Sequence, residues 1–285
     1  MTNNTPATIA TLWRYPVKSM MGEELNGAEI TKGGLLGDRA YALVDAETGK
    51  VISAKNPKKW PNIFFFRAAS ITPNSQDSLQ PLSLWITLPD GTVLRSDQSD
   101  INEKLSQFLG NKVVLQTQSP KDAKLEQFWP EFEGEANEVS NEAVAGDAPK
   151  GTFFDYAALH LLTTSSIEAM QHHYPEGRFE VRRFRPNIMI DTTGLTGFVE
   201  NDWVGKTIKL GNSLRLQVTD PCPRCVMPTL AQGDLPQDNG IFKNGIAKNK
   251  PMVPFAGKEL PSVGVYARVL SPGWVKRGDM VSIES

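Results

Sequence analysis

Short apolar runs separated by glycine and proline are the main pattern along the chain, and they predict strands joined by tight turns. The segment RAYALVDAETGKVIS predicts a β-hairpin, in which residues 46–49 turn between apolar runs at 41–44 and 51–52. In LSLWITLPDGTVL, the tripeptide Pro89-Asp90-Gly91 supplies the turn of a second hairpin. Further short strands are predicted at 113–115, 187–191, 207–210, 214–218, 264–270 and 280–283.

Two segments predict helices. In DINEKLSQFLGN, apolar residues at 101, 105, 108 and 109 form one stripe, Asp100 can cap the first turn and Gly110 the last. Ser165 and Glu168 fit a capping box for a second helix that reaches about residue 174. Because strands predominate, we expect a mainly β (α+β) fold of two β-barrel-like units with a few short helices.

The composition is that of a globular protein, and it excludes several classes. The 285 residues are 40% hydrophobic and 22% charged with a net charge of −2, so no overall basic field attracts nucleic acid. No apolar run approaches the roughly 18 residues that span a bilayer, and the N-terminus lacks a secretory pattern. Only two cysteines occur, which favours a cytoplasmic location.

From about residue 121 to 150 the composition changes, because carboxylates are frequent and strong apolar residues are few. This segment is predicted to be an exposed acidic excursion between two halves of the chain. Its carboxylates are Asp122, Glu126, Glu131, Glu133, Glu135, Glu138, Glu142 and Asp147.

The sharpest chemical feature is the segment DPCPRC at 220–225, directly after the predicted strand LRLQV. A thioredoxin-type pair needs a helix that starts at the motif, but Pro228 follows closely and no helical stripe develops. A structural zinc site needs four ligands, and only the chain's three histidines could join the two thiols. A pair of inert buried cysteines stays open. Against it stands Arg224, because a cation beside Cys225 favours the thiolate, the form that binds soft metals.

Basic residues occur in three segments that could receive an anion. They are Arg182, Arg183 and Arg185 in VRRFRPNI, Lys18 in LWRYPVKS, and Arg39 in GGLLGDR. Arginine forks suit phosphate geometry, so together these segments could hold a phosphate-bearing cofactor, although spacing alone does not bring them into one site. The chain has no GxxxxGK, no GxGxxG that opens a helix and no histidine in a nucleophile triad, which disfavours hydrolases and nucleotide-triphosphate enzymes.

Four motifs occur in the order found in MOSC-domain proteins: YPVKS at 15–19, LLGDR at 35–39, RFRPNI at 183–188 and CPRC at 222–225. The chain resembles these proteins over nearly its whole length. Within them it is similar to the mitochondrial amidoxime reducing component and its bacterial molybdenum-cofactor reductase relatives. The resemblance implies a MOSC N-terminal β-barrel domain at 1–120 and a MOSC domain at 121–285.

The resemblance also implies a molybdenum–molybdopterin cofactor and the residues that bind it. In that family the second cysteine of CxxC ligates molybdenum, so Cys225 is the expected metal ligand and catalytic residue, while Cys222 is expected to be dispensable. Pro223 and Arg224 lie where the loop touches the cofactor. The other expected cofactor-binding residues are Lys18, Ser19, Arg39, Asp155, Tyr156, Ala157, Arg185 and Tyr266.

Two features depart from the family pattern. Relatives carry an acidic residue that faces the metal at the position where an ungapped match puts Asn201. Some bacterial relatives also carry a C-terminal iron–sulfur domain, but no cysteine follows Cys225, so no iron–sulfur cluster is expected in this chain. Electrons are therefore expected from a separate donor protein, namely a flavin, haem or iron–sulfur reductase.

The leading functional hypothesis is a reductase that removes oxygen from small N-hydroxylated compounds such as amidoximes, hydroxylamines and N-hydroxylated bases. The alternative is a molybdopterin-binding or sulfur-carrier protein that uses a Cys225 persulfide without reductase turnover. The set of Lys18, Arg39 and Arg185 discriminates between the two, because a simple sulfur carrier needs no phosphate-binding cations.

Overall fold

Strands predominate in the computed structural model, which describes residues 7–71, 82–129, 138–144 and 146–284. This confirms the mainly β fold class. The first strands are β1 (Ala7–Arg14), β2 (Glu23–Leu25), β3 (Gly27–Thr31), β4 (Gly34–Leu35), β5 (Ala42–Asp45), β6 (Arg67–Ser70), β7 (Leu84–Thr87), β8 (Val93–Arg95), β9 (Val113–Gln116), β10 (Lys124–Trp129) and β11 (Glu138–Ala143). The later strands are β12 (Leu159–Thr163), β13 (Ile188–Asp191), β14 (Thr207–Leu210), β15 (Leu214–Pro223), β16 (Met252–Val253), β17 (Lys258–Glu259), β18 (Ser262–Ser271), β19 (Gly273–Lys276) and β20 (Met280–Glu284).

The α-helices of the described ranges are short. They are α1 (Ile101–Leu109), α2 (Thr164–His173) and α3 (Val181–Phe184), and brief 3-10 and π turns lie between the strands. None of the described helices has the length and apolar character needed to cross a bilayer.

A closed barrel of seven strands forms the centre of the fold. Its strands follow the order β13–β12–β18–β15–β14–β20–β1, and the pairing of β1 with β13 closes the ring, with Leu12 opposite Ile188. Closure removes free strand edges from the barrel. Strand β1 lies in the first 120 residues, yet it pairs with β13 and β20 from the second half, so the barrel draws on both sides of the expected domain boundary.

The barrel interior is filled by alternate side chains of its strands. Along β15, Leu214, Leu216 and Val218 are fully buried while Arg215 is exposed. These side chains pack with Ile188 and the other inward-facing residues into one apolar core. The period-two pattern of the sequence therefore decides which face of each strand points inward.

A second unit gathers N-terminal residues around a separate core. It contains the sheets β5–β9 and β6–β7–β8, and α1 packs Ile101 and Leu105 against the same core as Phe64. The predicted hairpin at 82–94 is confirmed by the antiparallel pair β7–β8. Gly110 ends α1 with φ 69°, the left-handed conformation that glycine adopts without steric cost, as predicted.

The acidic segment is more than the predicted exposed excursion. Strands β10 and β11 pair as an antiparallel hairpin. Leu125 of this hairpin is fully buried beside Val51, and Glu126 forms an ion pair with Lys50 at 2.7 Å. Contact with the N-terminal unit therefore overrides what composition predicted for β10. The carboxylates Glu131, Glu133 and Glu135 lie outside the described residues.

Both predicted helices form, and Asp100 is the N-cap residue of α1 as predicted, but the capping contacts differ from prediction. The Asp100 carboxylate makes no capping hydrogen bond, because it pairs with Lys104 at 3.1 Å. At α2 the cap is Thr163, whose Oγ1 accepts a hydrogen bond from the Ser166 N–H. The capping box predicted from Ser165 is therefore wrong, because the helix starts before that residue.

Candidate functional site

Closure of the barrel brings two segments that are far apart in the sequence to one end of the barrel. Strand β1 runs into residues 15–19, and β13 starts directly after residues 183–187. Because these strands are antiparallel, the segment after β1 lies beside the segment before β13. The Trp13 N–H donates to Asn187 O at 2.9 Å, and Arg185 Nη1 donates to Met20 O at 2.7 Å.

Cationic side chains from both units converge at this end. Lys18 Nζ donates to Phe153 O at 2.7 Å and forms an ion pair with Asp155, which also pairs with Lys55 Nζ at 3.2 Å. Since the Lys18 side chain is only 6% exposed, water screens its charge poorly. The cation cluster comprises Lys18, Arg39, Lys55, Arg185 and Arg224, and the carboxylates among them are Asp38 and Asp155.

Residues in or next to the cation cluster also have strained backbone conformations. Only four non-glycine residues of the described chain have a positive φ, and three of them are Ser19 (65°), Arg39 (47°) and Arg185 (57°). Such conformations cost about 1–3 kcal/mol each and concentrate at functional sites. Local contacts hold them, since Ser19 Oγ accepts from the Ala54 N–H at 3.0 Å and Arg39 Nη2 donates to Arg185 O at 3.3 Å.

Burial and neighbouring charges shift the acidities of the cluster. Burial lowers the pKa of Lys18 to about 8, although Asp155 opposes the change. Burial also lowers the pKa of Arg185 to about 10, with Arg39 adding to the effect. Burial alone would raise the pKa of Asp155, but the charges of Lys18 and Lys55 outweigh it and hold that pKa far below its usual range. The pKa values of Lys55 and Arg224 are instead raised, because Asp155 and Cys222 outweigh burial. Added negative charge would therefore stabilise Lys18 and Arg185 in particular.

Cys222 lies inside the polar network of the site. It is 1% exposed, and its Sγ accepts a hydrogen bond from Arg224 Nη1 at 3.0 Å. Burial raises the pKa of this thiol, but the charges of His160 and Arg224 and hydrogen bonds with His160 and Tyr266 outweigh burial and lower the pKa to about 6. The sequence argument placed Arg224 beside Cys225; the structure gives its hydrogen bond to Cys222, while its charge also acts on Cys225.

Cys225, the predicted metal ligand, lies at the junction of the two units. It is a free, partly exposed thiol that packs against the N-terminal core beside Met227. Strand β15 continues through Pro223, beyond the predicted end at 218, and the Arg224 N–H donates to Pro261 O at 2.9 Å. The motif is thus held by the barrel wall, while Cys225 faces the N-terminal unit.

A series of aromatic rings runs from the surroundings of Cys222 to the surface. The ring centroids of His160 and Tyr266 are 6.0 Å apart, and those of Tyr266 and Tyr156 are 5.2 Å apart. The exposed Phe255 stacks on Tyr156 at 4.1 Å. Ala157 instead lines a separate surface groove with residues of β18, and no member of the cation cluster lines that groove.

Asn201, which stands where relatives carry a metal-facing acidic residue, and its neighbour Glu200 both make hydrogen bonds within the fold. Glu200 is fully buried and accepts hydrogen bonds at 2.6 Å from Ser166 Oγ and Thr163 Oγ1 at the start of α2. Burial raises the pKa of this carboxyl. Asn201 Nδ2 donates to Asn249 Oδ1 at 2.9 Å. The acidic residue that precedes Asn201 is therefore enclosed among hydroxyl groups.

The three arginines of VRRFRPNI separate in the structure. Arg182 forms surface ion pairs with Glu180 and Asp234, both at 2.6 Å. Arg183 is fully buried, and its guanidinium donates to four backbone carbonyls, those of residues 178, 228, 230 and 236. Only Arg185 joins the cation cluster. Arg182 and Arg183 are consecutive in the short helix α3 and point in different directions, and Arg185 follows the helix in a left-handed conformation, so the three side chains separate.

The described residues support neither a thioredoxin-type redox pair nor a structural zinc site at the two cysteines. A 3-10 turn, Met227–Thr229, follows CPRC where a thioredoxin-type pair needs an α-helix. His172 and His173 are exposed at the end of α2. Across the described ranges, no group of three or more His, Cys, Asp and Glu side chains could hold a metal ion.

The cluster fits a phosphate-bearing ligand with a thiol-ligated metal. Tyr15 Oη and Arg224 Nε are buried and have no hydrogen-bond partner among the described residues. An unmade bond of this kind costs about 1–3 kcal/mol, which a ligand can recover. Five cations face two carboxylates and one acidic thiol, so positive charge is in excess. Guanidinium and ammonium groups bind phosphate, and a thiolate suits a soft metal.

The chain matches two protein-family models. The MOSC N-terminal beta barrel domain matches residues 6–123, and the MOSC domain matches residues 148–282. It is 26% identical over 294 residues to mitochondrial amidoxime reducing component 2 of Homo sapiens, covering 96% of this chain and 82% of that protein. It is 24% identical over 291 residues to mitochondrial amidoxime-reducing component 1 of Mus musculus, covering 96% and 81%. The crystal structure of the YUAD protein from Bacillus subtilis aligns with 99% of this chain and 97% of its own, at a TM-score of 0.42 and 11% identity.

Proposed function

We propose that this chain, which belongs to the MOSC-domain proteins, is a molybdenum-cofactor-dependent reductase of small N-hydroxylated compounds. The observation that carries the proposal is the buried cation cluster beside the free thiol of Cys225. Relatives named amidoxime reducing components align with 96% of the chain, which supports amidoximes and similar molecules as the substrate class. The family is associated with the molybdenum cofactor, whose phosphate and sulfur chemistry suits this cluster.

The cofactor would be held from both units of the fold. Lys18, Arg39 and Arg185 would bind its phosphate and pterin, and Cys225 would be the protein ligand of the metal. Both the cations and the thiol would be required, because a thiol alone does not select a pterin and a cation cluster alone does not select a metal. Ser19, Pro223, Arg224 and Tyr266 would surround the cofactor, as would Asp155 and Tyr156, whereas Ala157, expected beside them, lines a separate groove.

The bound cofactor would supply the two-electron chemistry that breaks the N–O bond, so that oxygen leaves as water with two protons. The chain's own residues control charge and water around that centre. Lys18 Nζ, with a pKa of about 8, holds its proton at neutral pH and can balance a phosphate charge. The hydroxyl of Tyr266 stays protonated, because burial raises the pKa of Tyr266 well above its usual value. The exposed Phe255 and the ring of Tyr156 lie between Tyr266 and solvent.

We propose that electrons come from a separate flavin, haem or iron–sulfur protein. A cytoplasmic setting is our proposal on the strength of the two-cysteine sequence. The donor would approach the partly exposed Cys225 side of the junction.

The experiment is metal and pterin analysis of the purified full chain, followed by anaerobic reduction of benzamidoxime with a chemical electron donor. We expect near-stoichiometric molybdenum with pterin, and turnover. Cys225→Ser should lose the metal, whereas Cys222→Ser is the matched control, because serine still offers Arg224 an acceptor.

Two outcomes would overturn parts of the proposal. Loaded protein that fails to reduce benzamidoxime would refute the activity while leaving the cofactor in place. Folded protein without molybdenum or pterin, and with a stable extra sulfur on Cys225 by mass spectrometry, would favour the sulfur-carrier alternative.

A further inference from the structure

We propose that the hydroxyl of Tyr15 is a direct hydrogen-bond donor to the phosphate group bound by the cation cluster. This makes Tyr15 a ligand-binding residue of the site, in addition to those expected from the motifs. The inference rests on the proposed function only for the identity of the ligand, because an unpaired hydroxyl among buried cations favours an anion of any kind.

The first observation is an unused donor. Tyr15 is 1% exposed, and its Oη is buried without a hydrogen-bond partner among the described residues. Buried tyrosine hydroxyls normally have a partner, because leaving one unpaired forfeits its hydrogen bond to water. By contrast, the hydroxyl of the neighbouring buried Tyr41 donates to Leu82 O at 3.3 Å.

The second observation is where the ring lies. The guanidinium carbons of Arg185 and Arg39 are 4.2 and 4.5 Å from the centre of the Tyr15 ring. The charges of Arg185, Arg39, Asp38 and Arg224 all act on the phenol group. The unpaired hydroxyl therefore lies within the cation cluster, where an anion would be held.

The third observation is that the ring is fixed in place. The Tyr15 N–H donates to Asp38 Oδ1 at 2.7 Å. Gly22 leaves room for the ring, since a Cβ at that position would lie 2.6 Å from Tyr15 Cδ1. The backbone is thus anchored beside Asp38, and the ring lies against Gly22 with its hydroxyl unpaired. Its orientation costs stability in the free protein and lowers the entropic cost of binding.

Burial also determines the direction of the hydrogen bond. It raises the pKa of Tyr15 above its usual value, although the nearby arginines oppose this. The hydroxyl is therefore protonated at any physiological pH and acts as a donor towards an anion. Phosphate oxygens are acceptors, and a charge-assisted bond of this kind is stronger than a neutral one.

The test is Tyr15→Phe in the full chain, purified from a host that makes no molybdenum cofactor so that the cluster is free, with inorganic phosphate as the probe, measured by calorimetry and by thermal unfolding. We expect phosphate affinity to fall about tenfold or more. We also expect the phosphate-free variant to melt about 2–4 °C higher than the unmodified chain, because an unsatisfied buried group is removed. A purely structural tyrosine would give the opposite shift in melting temperature.

Tyr41→Phe is the matched control, because it removes a hydroxyl that already has a partner. It should lower the melting temperature and leave phosphate affinity unchanged. Equal phosphate affinity in the Tyr15→Phe and unmodified proteins would overturn the inference, as would the absence of phosphate binding in both. Weaker phosphate binding in Tyr15→Phe, together with the absence of molybdenum from unmodified protein purified from a host that makes the cofactor, would support the role of Tyr15 and refute the proposed function. Equal molybdenum retention in the Tyr15→Phe and unmodified proteins would support the proposed function and refute the role of Tyr15.

Discussion

Asp155 supplies the negative charge that stabilises two buried lysines, and its replacement by asparagine tests the electrostatic account of the site. The carboxylate pairs with Lys18 and, at 3.2 Å, with Lys55. The Asp155→Asn substitution keeps the size of the side chain and removes the charge. In the absence of ligand, Lys18 would then face Lys55 and Arg39 without its carboxylate partner.

The magnitude follows from burial. Removing one partner of a buried ion pair costs about 3–5 kcal/mol. The Asp155 side chain is 38% exposed, so water recovers part of that energy, and we expect a loss of about 1–3 kcal/mol in the free energy of unfolding. Asp147 is the matched control: it is 39% exposed and pairs with the exposed Arg268 at 3.4 Å. Asp147→Asn should cost no more than about 0.5 kcal/mol.

The assay is urea unfolding at pH 7, with and without phosphate, against sodium chloride of equal ionic strength. Phosphate should stabilise Asp155→Asn more than the unmodified chain, because the bound anion replaces the missing charge and stabilises the folded state by mass action. Equal urea midpoints for the Asp155→Asn and Asp147→Asn proteins would refute the reasoning. So would a phosphate effect of the same size in every variant, since that would mean that phosphate binds elsewhere.

Two further predictions concern Cys222 and Gly264. The folded pKa of Cys222, about 6, lies below its unfolded value of 9.0, so the unfolded state binds more protons between these limits. Stability should therefore rise from pH 6 to pH 9 by up to about 1.4 kcal/mol per pH unit, and the rise should shrink in Cys222→Ser if this thiol causes it. Gly264 has φ 76°, and a Cβ there would clash with His160 Nε2 and Leu161 O. Gly264→Ala should cost about 3 kcal/mol or more in urea unfolding, against about 1 kcal/mol for Gly278→Ala, which has open space at φ 84°; equal losses would contradict the clash.

Local sequence patterns predicted many of the regular elements, because strand alternation and turn chemistry act between neighbouring residues. Strand β14 has the predicted ends, and β7–β8 turns at the predicted Pro89-Asp90-Gly91. The cap of α1 lies at the predicted residue, Asp100, but its carboxylate pairs with Lys104 and makes no capping hydrogen bond. The predicted cap of α2 was wrong, because Thr163 at the end of the barrel strand β12 caps that helix.

The site was predictable only in part. Motif order pointed to Lys18, Arg39 and Arg185, and the structure brings these three together; their roles as cofactor ligands remain predictions. No sequence pattern pointed to Lys55, which lies in an ordinary polar loop and reaches the site through Asp155. The hydrogen bond between Cys222 and Arg224 was also not predicted, because it depends on how the segment 222–225 folds.

The sequence by itself determined the chemistry available to this protein: the order of the four motifs, two thiols three positions apart, and the cations beside them. Tertiary structure alone decided which of these groups meet. Pairing of β1 with β13, from opposite halves of the chain, brings Tyr15 under Arg185 and leaves Arg183 inside the fold. Neighbours along the chain fix backbone conformation, whereas the buried excess of positive charge arises from non-local strand pairing, which brings the cations together away from water.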